Sequence, residues 1–209
     1  CRKKELKKPT DVSFKMDINR NISSNGKLVF TSGTISIASF EIEGEREEGD
    51  PIAFERSCPN GWLISFNPNN SISQIDFDIP QGVYTSLDIS FETFENAGKT
   101  ITVNGIYTRN NGTDVPILFE FASSESFSIS GEAENGNNVI ILDTDVPATS
   151  LIKLDPIYWF DIVTTNMLEN ADLINLNGVM TIVVNESEHE QIYDLIADRI
   201  DESTEAIFN

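Results

Sequence analysis

The sequence predicts a mainly β protein, an antiparallel β-sandwich with a small C-terminal α/β extension. Apolar and polar residues alternate along strand-length segments, and Gly, Asn and Pro turns separate these segments. Near residue 155 a helical spacing replaces the alternation. We therefore expect a tether at 1–9 and a single domain at 10–209, in which a sandwich at 10–150 carries a packed extension at 151–209.

The alternation of apolar and polar residues is clearest in the first two predicted strands. V-S-F-K-M-D-I-N (12–19) places its apolar side chains on one face, and Asn25-Gly26 is typical of a hairpin turn. In L-V-F-T-S-G-T-I-S-I-A-S-F-E-I-E (28–43) the apolar phase shifts at Ala38–Ser39, which predicts a β-bulge. The acidic stretch G-E-R-E-E-G-D (44–50) predicts a solvated loop.

Short strands separated by turns follow. I-A-F-E-R-S-C and W-L-I-S-F flank a P-N-G turn, and S-Q-I-D-F-D-I and S-L-D-I-S-F-E come next. K-T-I-T-V-N-G-I-Y and V-P-I-L-F-E-F flank an N-N-G turn, before S-F-S-I-S and N-V-I-I-L. Such a series is typical of an antiparallel sandwich or barrel.

The C-terminal part mixes helices with strands. Asp155-Pro156 predicts the N-cap and first residue of a short helix, and V-M-T-I-V-V (179–184) predicts a strand. Ser187 and Glu190 have the spacing of a capping box. An amphipathic helix should follow, and A-I-F near the end favours a last short strand.

The charge is large and uneven. The 209 residues carry a formal net charge of −20, whereas residues 2–8 contain five basic residues and one acidic residue. The rest of the chain is therefore strongly acidic and repels the phosphates of nucleic acids, which argues against nucleic-acid binding. The acidic residues are spread over many strands, so we expect them to keep the protein soluble. Sodium chloride should then raise the melting temperature, and millimolar calcium should add little.

The N-terminal residues Cys1 to Thr10 resemble the start of mature bacterial lipoproteins, in which a lipidated Cys is followed by a polar tail. The resemblance implies that Cys1 is acylated and that the basic residues beside it face anionic lipid. Two alternatives are an arbitrary boundary of the sequence and a Cys1–Cys58 disulfide. With Cys1 acylated, Cys58 is expected to be a structural thiol.

Few residue patterns favour catalysis or metal binding. His189, the one histidine, lies in E-S-E-H-E, which is better explained as the start of a surface helix than as a metal site. Asp143 and Asp145 in D-T-D are weak calcium candidates, and the acids of D-F-D (76–78) alternate with Phe77 as on a wet strand face. We expect no catalytic residue and no cofactor.

Five aromatic residues are candidates for stacking on a sugar if they are exposed: Trp62, Tyr84, Tyr107, Tyr158 and Trp159. Most aromatic residues here occupy the buried phase of a strand or the apolar side of a helix. The pattern therefore favours core packing for them.

D-I-P-Q-G-V-Y-T-S-L-D-I-S-F (78–91) resembles a segment of prealbumin-like and related β-sandwich modules in surface proteins of Gram-negative bacteria. In those modules a Pro-x-Gly turn precedes an aromatic residue and an alternating strand. The resemblance implies that Gly82 permits the turn, that Tyr84 plugs one end of the sandwich, and that the protein belongs to the cell envelope. It implies no catalytic residues.

These observations together predict a lipid-anchored binding protein of the outer membrane, without catalysis, with a protein or glycan partner. The first alternative is a structural subunit of the adhesin or fimbrial type, and the second is an enzyme acting on an envelope or glycan substrate. A binding protein should show a concave patch with exposed aromatic residues. A subunit should show an unpaired sheet edge, and an enzyme should show converging polar groups.

Overall fold

The computed structural model describes residues 6–69, 74–95 and 98–209. The predicted fold class is confirmed, because the described chain is mainly β, with thirteen strands in one mixed sheet and a few short helices. Cys1 lies outside the described residues. Within the described ranges no helix has the length and apolar character needed to cross a membrane.

The elements follow one another with short connections. The strands are β1 (Pro9–Ile18), β2 (Leu28–Arg46), β3 (Ile52–Ser65), β4 (Gln74–Pro80), β5 (Gly82–Thr93), β6 (Ile101–Thr108), β7 (Asp114–Phe121), β8 (Ser126–Ala133), β9 (Ile140–Leu142), β10 (Ala148–Leu154), β11 (Ile174–Leu176), β12 (Val179–Val184) and β13 (Glu205–Phe208). The helices are α1 (Pro156–Trp159), a 3-10 turn (Phe160–Ile162), α2 (Thr165–Glu169) and α3 (Glu190–Ala197).

The 19-residue strand β2 organises the sheet. β3 pairs along one edge of β2, while β5 and β6 follow each other end to end along the other edge. β8 and β7 flank β5 and β6 in the same way. Beyond them the strand order is β8-β13-β10-β1-β4 on one side and β7-β12-β11 on the other.

The sheet curls so that β1 and β4 lie over β2, which is the two-layer packing of a β-sandwich. The fully buried ring of Phe14 on β1 lies 5.4 Å from that of Phe40 on β2 and 5.8 Å from that of Phe77 on β4. The predicted alternation is confirmed, since Val12, Phe14, Met16 and Ile18 are all buried. The core of this half is therefore filled by the inward phases of facing strands.

Helices instead of strands cover the other half of the sheet. The ring of Phe160 lies 5.0 Å from that of Phe30 on β2, and Trp159 packs 6.4 Å from Phe119 on β7. Asp155 caps α1 as predicted, because its carboxylate accepts the N–H groups of Ile157 and Tyr158 at 3.0 and 3.1 Å. A short helix thus places two large aromatic residues over the sheet.

The C-terminal strands are part of the sheet itself. β10 pairs with β1, β12 with β7 and β13 with β8, and these three pairs are parallel. Position 150, where the sequence divides into sandwich and extension, lies inside β10. The last strand, β13, lies between β8 and β10, so the end of the chain completes the sandwich.

Two early features differ from the sequence expectation. Asn25-Gly26 does form a turn, with Gly26 N–H bonded to the Ser23 carbonyl at 2.8 Å, but β1 pairs with β4 and β10 while β2 pairs with β3, β5 and β6. The turn connects the two layers because the apolar faces of β1 and β2 pack on each other. The acidic loop is shorter than predicted, since β2 continues to Arg46.

The predicted capping box at Ser187 is wrong. The N-cap of α3 is His189, which has a left-handed backbone (φ 55°) and makes no side-chain cap bond. Asn185 supplies the local acceptor instead, because its Oδ1 accepts the N–H groups of Ser187 and Glu188, both at 2.9 Å. An Asx turn competes with the Ser capping geometry, and here the Asx turn is adopted.

Replacing Asn185 with Ala is expected to lower the free energy of unfolding by about 1–2 kcal/mol, because two N–H groups lose their acceptor. The amide of Asn185 also donates to Glu120 Oε2 at 2.8 Å. Ser187→Ala is the matched control and should change stability by less than about 0.5 kcal/mol. Urea unfolding of both variants tests the assignment, and the opposite order of effects would contradict it.

Candidate functional site

β3 contains a conspicuous bulge. Ser57 pairs with Ser39 of β2 and Trp62 pairs with Ile37, so four residues of β3 face the single residue Ala38. The bulge at Ala38–Ser39 is confirmed, but the predicted P-N-G turn does not separate two strands. Both flanking segments pair with the same long strand β2, and the C-P-N-G residues between them protrude from its edge.

The protruding residues form one wall of a cleft between β3 and β4, with a volume of about 370 Å³. We call it the edge cleft, and its lining residues are Arg56, Cys58, Pro59, Asn60, Gly61, Trp62, Gln74 and Ile75. Trp62 and Ile75 give it an apolar floor, while Arg56, Asn60 and Gln74 place polar groups at its rim. An aromatic floor with a polar rim is typical of ligand sites on protein surfaces.

Gly61 is needed for this geometry. Its φ of +71° lies in the left-handed region, where a Cβ is strained. A Cβ there would also lie 2.5 Å from the ring of Phe94 and 2.9 Å from Ser36 Oγ. The glycine thus lets the chain turn back into the strand at Trp62, which keeps the indole half-buried at the cleft.

The edge cleft belongs to a longer seam between two unpaired strand edges. Among the described residues, β3 pairs with β2 alone and β4 pairs with β1 alone. Side chains bridge the seam: Arg56 Nη2 donates to the Asp76 carbonyl at 2.9 Å, and its guanidinium lies 4.7 Å from the ring centre of Phe77. Each strand therefore turns towards the other an edge whose backbone N–H and C=O groups make no backbone hydrogen bond within the described part of the sheet.

The cleft is suited to binding. Its polar groups are a guanidinium, two amides and a thiol, and Cys58 is half-buried. His189 lies elsewhere, at the start of α3, where its Nδ1 is 2.7 Å from the Val183 carbonyl oxygen. Position 189 is a helix start, as the sequence predicts. No nucleophile–base pair is formed by the cleft residues.

The aromatic candidates separate into core and surface. Tyr84, Tyr107 and Trp159 are fully buried, which confirms core packing for them. Tyr158 is 37% exposed beneath the guanidinium of Arg199, whose carbon lies 4.2 Å from the ring centre. Trp62 lines the edge cleft, whereas Tyr84 and Tyr107 line two other cavities.

Asp143 and Asp145 lie in a tight turn. Asp143 Oδ1 accepts the N–H of Asp145 at 2.9 Å, and Asp143 forms an isolated bridge with Val146. Their carboxylates are exposed. Across the described part of the chain, no three His, Cys, Asp or Glu residues are grouped so that they could hold a metal ion.

Tyr107 and Glu169 form a polar cluster that ties α2 to the sheet. The Tyr107 hydroxyl donates to Glu169 Oε1 at 2.7 Å, and the Asn110 N–H donates to the same oxygen at 2.8 Å. Burial and the neighbouring carboxylate raise the pKa of Tyr107. Burial acts to raise the pKa of Glu169, but its hydrogen bonds and the charge of Lys27 outweigh burial and lower it. The cluster holds α2 against the sheet and shares no residue with the lining of the edge cleft.

Arg46 joins three separate parts of the chain at one end of β2. Its guanidinium donates to the Leu6 carbonyl at 2.7 Å, to the Asp50 carbonyl at 2.6 Å and to the Gln81 carbonyl at 3.3 Å. The same group lies 5.9 Å from the ring centre of Tyr84. Burial raises the pKa of Tyr84 to about 12, although the nearby guanidinium acts to lower it.

The outward face of β2 carries an unusual density of like charge. Glu41 lies directly opposite Glu55 of β3, and Glu43 lies directly opposite Asp88 of β5. Glu45 continues the row on β2. Like charges that face each other across strands are destabilising, so these acidic pairs do not stabilise the sheet.

Glu43→Lys is expected to raise the free energy of unfolding by about 0.5–1 kcal/mol, because a cation replaces a repulsive group opposite Asp88. Glu43→Gln, the matched control, should give a smaller gain, since it removes repulsion without adding attraction. Both gains should shrink in about 1 M sodium chloride, where the Debye length is about 3 Å. Urea melts at two salt concentrations measure this, and destabilisation by Glu43→Lys would contradict it.

No protein-family model, curated protein or solved structure matches this chain.

Proposed function

We propose that the protein is a non-catalytic binding module of the cell envelope, anchored in the outer membrane by lipid on Cys1. The observation that supports it best is the edge cleft, in which the half-buried Trp62 lies beside apolar Ile75 with amides and a guanidinium around them. Exposed tryptophan beside polar groups is enriched at binding surfaces. The partner is a protein or a glycan.

The position of the N-terminal segment supports the anchor. Arg46 holds the Leu6 carbonyl at one end of β2, and the five basic residues of 2–8 lie on both sides of this point in the sequence. A lipid on Cys1 then holds the acidic body near the head groups. Lys and Arg near an anionic surface each add on the order of 1 kcal/mol of attraction.

Three measurements test the proposal. In the native host, Cys1→Ser should move the protein from the membrane fraction to the soluble fraction, and the intact mass of the parent should exceed the polypeptide mass by acyl groups. For the cleft, a panel of oligosaccharides and short peptides is titrated while the Trp62 indole NMR signal is observed. Saturable shifts are expected for at least one member.

Trp62→Ala should abolish that binding, while Tyr158→Ala, which removes a partly exposed aromatic residue elsewhere, should leave it unchanged. A soluble parent protein with an unmodified Cys1 would remove the anchor from the proposal. Equal binding by parent and Trp62→Ala would remove the cleft.

The unpaired edges of β3 and β4 favour a second candidate, a structural subunit of the adhesin or fimbrial type. In such a subunit a strand of a second copy occupies the edge. Purified protein that forms oligomers as its concentration rises, with loss of this behaviour on changing β3, would support the subunit. A monomer at all concentrations would favour the binding module.

A further inference from the structure

We infer that the edge cleft recognises an extended polypeptide, which adds as a strand to the free edge of β3 and alternates apolar and basic side chains. This inference rests on the proposed function, since it names the partner class of the same cleft. It draws on the free backbone edges, the apolar pocket between them and the charge around them.

Two backbone edges border the edge cleft. The β3 edge runs over 52–57 before the bulge and over 62–65 after it, and β4 offers a second edge beside it. Within the described residues the two strands are not paired with each other by backbone hydrogen bonds. The edge strand at the other end of the sheet, β11, is shorter and has three residues. Next to it on β12, the Val183 carbonyl oxygen lies 2.7 Å from His189 Nδ1.

Arg56 shows that the seam is open to an incoming donor. The Asp76 carbonyl points into the seam and receives a side-chain donor, Arg56 Nη2, at 2.9 Å. Arg56 is itself exposed, so solvent competes for this bond. A backbone N–H of an added strand can take the same acceptor once the arginine swings away.

The cleft supplies a pocket for a side chain. In strand addition the main-chain bonds give affinity, and pockets for alternate side chains give specificity. Trp62 and Ile75 form an apolar floor beside the edge, and the cleft volume of about 370 Å³ holds one or two aliphatic side chains. The inward residues of the partner are therefore apolar.

Charge determines the other face of the partner. Glu55 on β3 and Asp76 and Asp78 on β4 are exposed acids of the two edge strands, with Asp76 Oδ1 also accepting from Ser13 Oγ at 2.7 Å, in a chain of net charge −20. Outward side chains of an added strand lie beside these acids, where lysine or arginine is favoured and acidic residues are repelled. An alternating apolar and basic strand satisfies both faces.

The probe is a synthetic peptide of about seven residues that alternates valine and lysine, titrated by calorimetry and by the Trp62 indole signal. Saturable binding is expected, and the analogue with glutamate for lysine should not bind. Two further peptides carry N-methyl groups on alternate residues, one at the odd positions and one at the even positions. N-methylation blocks main-chain donors, so at least one of the two peptides should bind about tenfold more weakly. Hydrogen exchange should slow at β3 amides between Ala53 and Ser57.

Two variants sharpen the test. Arg56→Ala should strengthen peptide binding several-fold, because it frees the Asp76 carbonyl and removes a charge that repels lysine. Trp62→Ala should weaken it, and Tyr158→Ala should not change it. Undiminished binding of both N-methylated peptides, or binding of the glutamate peptide that is as tight as that of the lysine peptide or tighter, would overturn the strand inference.

The failures can be told apart. If oligosaccharides shift the Trp62 signal but the valine–lysine peptide does not, the edge cleft remains the binding site and strand addition is wrong. If neither class shifts it, both the cleft function and the strand inference are wrong. Oligomerisation that competes with the peptide would identify the added strand as that of a second copy.

Discussion

Phe14→Ala is expected to lower the free energy of unfolding by about 3–5 kcal/mol, the usual cost of emptying a buried phenylalanine site. Phe14 is fully buried, and its ring contacts Phe40, Phe77 and Phe208 at centroid distances of 5.4, 5.8 and 5.8 Å. These partners lie on β2, β4 and β13, so one side chain joins both layers. Since domains are typically stable by about 5–15 kcal/mol, the loss is a large share of the total.

Phe14→Leu is the matched control and should cost clearly less, because it keeps much of the volume. Leu63→Ala removes a side chain that is 65% exposed and should change stability little. Urea unfolding followed by circular dichroism gives all three values. A cost for Phe14→Ala below that for Leu63→Ala would mean that the two layers do not meet at Phe14.

The strands were predictable because burial imposes a period of two on them. β2 illustrates this: Ile35 and Ile37 share one phase, Phe40 and Ile42 share the other, and all four are fully buried across the bulge. The N-cap at Asp155 was predictable for a related reason, since an aspartate before a proline satisfies local N–H groups whatever packs on the helix.

Pairing partners were not predictable in the same way. The C-P-N-G residues look like a turn between two strands, and locally they are one. They become a bulge because β2 is long enough to pair with both flanking segments. The phase shift at Ala38–Ser39 was the available signal, since a bulge in one strand requires an irregularity in the strand beside it.

The edge cleft could not be predicted from the sequence, for a similar reason. Trp62 was one of five candidate aromatic residues, and Ile75 was a buried-phase residue of another strand. They meet because the curled sheet brings β3 beside β4 without pairing them, and this depends on the strand order of the whole molecule. The anchor is independent of the fold, and the lipid on Cys1 stays a prediction.

At Gly33 the backbones of β2 and β6 approach each other closely, and the φ of this glycine is ordinary. It lies on β2 opposite Val103 of β6, just after a register shift between Phe30 and Ser32. A Cβ at Gly33 would overlap the carbonyl oxygen of Thr102 and lie 3.1 Å from the Val103 Cα. Glycine within a strand often marks such an approach, and the pattern T-S-G-T alone does not reveal it.

Gly33→Ala is therefore expected to lower the free energy of unfolding by about 3 kcal/mol, because the β2–β6 ladder must separate to admit the methyl group. Gly112→Ala is the matched control. It has a left-handed φ of +81° but no atom within 4 Å of the added Cβ, so about 1 kcal/mol of backbone strain is expected. Urea unfolding compares the two, and hydrogen exchange at Thr102 and Val103 should speed up in Gly33→Ala alone. If Gly112→Ala proves the more damaging change, β2 and β6 do not approach each other at Gly33 as described.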